Sequence, residues 1–168
     1  TADGTQVWTD SQVLQIIPGL SFFMSQTGNT RLLKLSNQKE FEIQRVKDLG
    51  TIRKLQIDAD NNDLGRIRMA DASFASGKMP DAILVHEIAH NWDSESTFWS
   101  QWQTLSGWRI HDNRGGSLFP PYGYVLSQDE IWEYKTSANN SIFRDYGKSN
   151  PFEDWTTSWE AFYANKNG

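Results

Sequence analysis

The spacing of apolar positions is clearest between residues 80 and 92. At 100° per residue, Leu84, Val85, Ile88 and Trp92 fall on one side of a helix, away from His86 and His90. Pro80 suits a first helical position, where its missing N–H is not needed, and Asp81 suits the positive end of the helix dipole. A second helix is expected to start at Pro151, capped by Ser149 or Asn150. On it Trp155, Trp159 and Phe162 share a narrow arc, and Glu153, Thr157 and Glu160 lie opposite. Between the two, Phe98, Trp99, Trp102 and Leu105 recur at roughly helical spacing, which predicts core or a wall packed on the first helix.

The earlier part of the chain reads as mixed structure. Residues 6–20 suggest a strand or short helix ended by Pro18-Gly19, with Phe22, Phe23 and Met24 in the core. The latter half of residues 31–50 suggests a helix closed at Gly50. Residues 51–57 and 66–70 alternate in the manner of strands, joined by a polar turn over 58–65. Together these predict an α+β fold: a small N-terminal sheet, the helix of residues 80–92 beneath it as the floor of a cleft, and a mostly helical C-terminal part.

With 168 residues, a single domain over 1–168 with a substantial core is expected. Eight Trp, nine Phe and five Tyr, with 38% hydrophobic residues, argue against disorder. A net charge of −5 provides no basic footprint for nucleic acid, and no apolar run is long enough for a membrane span. Cysteine is absent, so neither disulfides nor thiolate ligands enter the argument. The chain starts TADGT, with neither Met nor a signal-peptide core. It is therefore expected to be a processed form or an excised domain of a secreted, bacterial-type protein, acting as a monomer.

The chemistry concentrates in His86, Glu87 and His90, an HExxH pattern. Histidines at i and i+4 lie on one face of a helix, where both can bind one metal ion, and the Glu between them can act on a metal-activated water. The plain alternative is a buried helix whose histidines only satisfy hydrogen bonds. His111 is the other histidine, and the carboxylates of Glu153, Asp154 and Glu160 are further candidates for a third ligand. Asp58, Asp60 and Asp63 are spaced like the start of a Ca2+ loop. However, the glycine falls two places late, at Gly65, and no Glu stands at the twelfth position. A solvated hairpin turn is the simpler account.

In Tyr146-Gly147, Asn150 and Glu153, together with HExxH, the sequence resembles the gluzincins, and in particular the protease domain of anthrax lethal factor and related bacterial zinc peptidases. In that pattern a Tyr-Gly pair precedes an Asn, and a ligand Glu follows the Asn by three. An SGW, here Ser106 to Trp108, and a PxED opening of the glutamate helix, here Pro151 to Asp154, are similar too. The resemblance covers two blocks within residues 80–165. The chain departs from it at Thr157, where a Glu often stands.

The resemblance implies a zincin-like fold and one Zn2+ held by His86, His90 and Glu153. It implies Glu87 as general base, Tyr146 as donor to the oxyanion and a protein or peptide substrate. Asp93 and Asp154 are candidates to orient a ligand histidine, and Glu160 to stand in for the Glu replaced by Thr157. In zinc peptidases the strand before the HExxH helix often lines the cleft and pairs with extended substrate, and Gly65 to Phe74 occupies that place in the order. Two other functions compete: a zinc-containing binding or adhesion module without activity, directed at glycoproteins through its aromatics, and a metal-free structural domain. Intact Glu87 argues for the enzyme.

Overall fold

The computed structural model describes residues 4–35, 37, 39–52, 54–63, 65–93, 96–111, 120–138 and 142–167. The glycine- and proline-rich run of residues 113–124, expected as a loop, lies largely outside them. The chain divides into two compact units, residues 1–92 with 162–168, and residues 93–161.

The first unit is built on a four-stranded sheet of order β1-β2-β6-β5, made from β1 (Thr5–Gln6), β2 (Glu42–Val46), β5 (Ala59–Asp63) and β6 (Arg66–Ala70). β2 and β6 run parallel, and the other pairs are antiparallel. The short ladder of β3 (Thr51–Ile52) and β4 (Leu55–Gln56) turns through Lys54 at φ +70°. Alternation along β6 puts Ile67 and Met69 on one face, where both are fully buried, and Arg68 on the other, paired with Asp60. Burying each of those two apolar side chains contributes about 1.5–3 kcal/mol.

Three expectations for this unit need correction. The first concerns Pro18-Gly19, which does not end an element: α1 (Asp10–Thr27) runs through both. Pro18 removes one helical donor, but both ends of the helix are well specified. Thr9 and Gln12 form a capping box, and Gly28, at φ +66°, closes the last turn. Phe22 and Phe23 are buried as expected, while Met24 faces outward. Gly19 is the point of closest approach to α2 (Pro80–His90), since a Cβ there would stand 2.6 Å from the carbonyl oxygen of Asp81.

The second correction is β2, read from sequence as part of a helix. Its residues pair in unbroken register from Glu42–Arg66 to Val46–Ala70, so a distant partner overrides a weak local preference. The third is β5. Its run of Asp and Asn is not a turn but a strand paired to β6, with a register shift between Asp60 and Asp63. The sheet preceding α2 is otherwise as expected.

In the second unit α3 (Ser96–Ser106) leads into a three-stranded antiparallel sheet, β7 (Trp108–Ile110), β8 (Tyr124–Leu126) and β9 (Trp132–Lys135), in the order β7-β9-β8. A mostly helical C-terminal part was expected, so this sheet is a correction. Trp108, Tyr134 and Ile142 form its core. The rings of α3 pack on α4 (Pro151–Asn167): Trp99 stacks on Phe152 at 4.8 Å, and Trp102 meets Trp155 edge-on at 5.3 Å. Leu105, expected inside, is 83% exposed.

α4 does not divide into the two faces expected of it. Phe162 is partly exposed, whereas Asp154, Thr156 and Thr157 are buried. Its last turns belong to the first unit, where Tyr163 touches the Phe22 ring and donates its hydroxyl to Asp81 Oδ2. Burial, and then that hydrogen bond, push the Tyr163 hydroxyl well above the usual tyrosine range. The fold is thus mixed α and β. Among the described residues, no helix is long and apolar enough to cross a membrane.

Candidate metal centre

α2 starts as the sequence predicts, with Pro80 in its first turn and Asp81 Oδ1 accepting the Ala82 N–H at 2.9 Å. Leu84, Val85 and Ile88 are fully buried, and Trp92 just beyond the helix nearly so. That burial fixes the rotation of the helix. His86 and Glu87 are themselves buried, and the His86 and His90 rings lie 5.0 Å apart between centroids at 78° to each other.

Asn61 on β5 adds a contact that sequence reading missed. Its Nδ2 donates to the carbonyl oxygen of Glu87 at 2.8 Å and to Asn91 Oδ1 at 2.9 Å. The signal was weak, because Asn61 sits in a polar run that reads as a turn.

Glu153 stands in the first turn of α4. Asn150 Oδ1 accepts the N–H groups of Phe152 and Glu153, each at 3.0 Å, which is the expected cap. The Tyr146 hydroxyl donates to Glu153 Oε1 at 3.2 Å, and the Tyr146 side chain is half open to solvent. Gly147 follows because nothing larger fits: a Cβ there would stand 2.6 Å from Thr157 Oγ1. The matched Tyr-Gly, Asn and Glu therefore form one connected local structure.

The two smaller motifs also meet. Trp108 of the SGW donates its indole N–H to Asp154 Oδ2 of the PxED at 2.9 Å, both side chains being buried. Burial pushes the Asp154 carboxyl up to about 6, with the Trp108 hydrogen bond acting in the opposite direction. The recorded partner of Asp154 is thus an indole and not a ligand histidine.

Among the described residues, one group of His, Asp and Glu side chains could hold a metal ion. It consists of His86, His90 and Glu153, with one donor atom from each lying within 4.8 Å of the others. No protein-family model, curated protein or solved structure matches the chain. The assignment of this centre therefore rests on its own chemistry. Two imidazole nitrogens and one carboxylate oxygen, with no thiolate in the chain, suit zinc.

The remaining candidates are engaged elsewhere. His111 is buried, with Nδ1 2.9 Å from Glu133 Oε2, and Glu133 also accepts from Arg109 Nε. Glu160 pairs with Arg144 at 2.7 Å. Of the acidic run once read for calcium, Asp58 pairs with Lys78 and Asp60 with Arg68, each at 2.5 Å. The Asp63 side chain lies outside the described residues.

Proposed function

We propose that this chain is a zinc-dependent endopeptidase with a zincin-like fold. The observation that carries the reading is the His86, His90 and Glu153 group, with Glu87 on the same helix as the two histidines. A zinc ion bound there would supply a Lewis acid and bring the pKa of a water to about 7. Glu87 takes the proton of the attacking water and returns it to the leaving amine. Tyr146 would turn its one hydroxyl proton from Glu153 to the oxygen that gains negative charge.

The substrate-pairing role expected of Gly65 to Phe74 moves to another strand. β6 is flanked by β2 and β5 in the sheet order, so both its edges are in use. β5 is the outer strand beside it. A peptide added to β5 as a further strand would have its backbone held by ladder hydrogen bonds.

The test joins zinc content to cleavage of casein, with and without a chelator. The purified chain is expected to hold about one zinc and to lose activity on chelation. Glu87→Gln is expected to keep zinc and fold while turnover falls by roughly 10²–10⁴. A variant cleaving at the wild-type rate would remove Glu87 from the mechanism. Zinc without cleavage in the wild type would make the chain a binding module.

A further inference from the structure

Asn61 lies two residues along β5 from Ala59, whose register partner is the buried Met69. An amide at such a position costs free energy unless both of its donors are used. Here both are, at the end of α2, and its Oδ1 is left without a partner among the described residues. The Asn91 N–H bonds Ile88 O at 3.0 Å and the Trp92 N–H bonds Ala89 O at 3.0 Å, which tightens the last turn. Asn61 Nδ2 donates to the Glu87 carbonyl at 2.8 Å. The second Nδ2 proton goes to Asn91 Oδ1, the side chain of the capping residue. The Glu87 carbonyl can only accept, so the nitrogen end of the Asn61 amide faces it.

We infer that Asn61 is a positioning residue, a clamp from β5 that holds the turn carrying Glu87 and His90 at the C-terminal end of α2. This deepens the peptidase reading and rests on it for its catalytic consequence. The clamp itself is a property of the metal-free chain. It adds directed bonds at the end of α2, beside the buried Ile88 and Trp92. A carbonyl released at that end would let the last turn fray, taking with it one imidazole and the backbone of the base.

Asn61→Leu and Asn61→Asp separate the clamp from packing. Leu keeps the volume and removes both donors, so a residue that only packs would be replaced without loss. Asp keeps the shape but puts oxygen opposite two acceptors. In the metal-free chain, both variants are expected to exchange the amide hydrogens of His90, Asn91 and Trp92 at least about tenfold faster than wild type, while β6 amides are unchanged. Wild-type exchange in Asn61→Leu overturns the clamp, whatever the activity does. In the zinc-loaded chain, kcat is expected to fall about 10- to 100-fold with KM within about twofold. Faster exchange with unchanged kcat overturns the positioning role. If the wild type neither takes up zinc nor cleaves, and the variants still exchange faster, the clamp stands and the peptidase reading falls.

Discussion

α2 and the first turn of α4 each hold donor atoms for one candidate centre, and they do so by opposite means. α2 is anchored by Leu84, Val85 and Ile88, all fully buried, so its rotation follows from apolar area that has no directional demand. The first turn of α4 is anchored by directed bonds: Asn150 caps it, Tyr146 meets Glu153, and Trp108 donates to a buried Asp154. Apolar burial tolerates changes of pH and fails through cavities. A polar anchor is sensitive to the charge of each member and fails one bond at a time.

Leu84→Ala tests the apolar side. Truncating a fully buried Leu is expected to cost about 2–5 kcal/mol, with little dependence on pH, as read by denaturant unfolding. A cost below about 1 kcal/mol would mean that α2 is not fixed by its apolar face.

The ligand choice is the next contrast. Glu153→Ala is expected to weaken zinc binding more than about a hundredfold, beyond what loss of a supporting group brings. His111→Ala should leave zinc affinity unchanged, because His111 is already committed to Glu133. The reverse order in a zinc titration would sink the proposed centre.

The polar side predicts a pH dependence. Burial raises the Asp154 carboxyl from its ordinary 3.8 to about 6 in the folded chain, so between these values the folded state keeps a proton that the unfolded state releases. Its contribution is fully present below about pH 4 and is lost as pH rises through 6, amounting to roughly 3 kcal/mol. Unfolding of the metal-free chain followed from pH 4 to 7 should show this decline, and Asp154→Asn should flatten it. Asn150→Ala is the mildest change. Losing the cap should cost about 1 kcal/mol by thermal melting, whereas no loss would show that Trp108 and Asp154 hold the turn without it.

The parts legible in the sequence were those decided locally. Pro80 and Pro151 mark helix starts through their own backbone chemistry, Asn150 caps by its own side chain, and HExxH is a spacing within one helix. The illegible parts depend on partners far along the chain. Residues 42–46 become a strand because β6 lies alongside, and residues 59–63 do so although Asp and Asn favour turns. α1 continues past Pro18 because both its ends are capped and Ile16, Phe22 and Phe23 are buried on either side of it. Asn61 was missed for the same reason: its role exists only once β5 lies against the end of α2. The polar interior of α4 was misread because arc-counting assigns Thr and Asp to water, whereas Asp154 and Thr157 find partners inside.

The parallel pairing of β2 with β6 has a consequence for the order of assembly. β5 and β6 are neighbours in the chain and can close as a hairpin within about 1–10 μs. β2 cannot reach β6 until the chain from 47 to 65 has looped back, and non-local pairing of this kind is slow. Until then the inner edge of β6 is an open template, and the hairpin stands ready to receive any extended segment that arrives first. During synthesis β2 is already outside the ribosome when β6 emerges, so vectorial growth of the chain supplies the correct strand before a competitor.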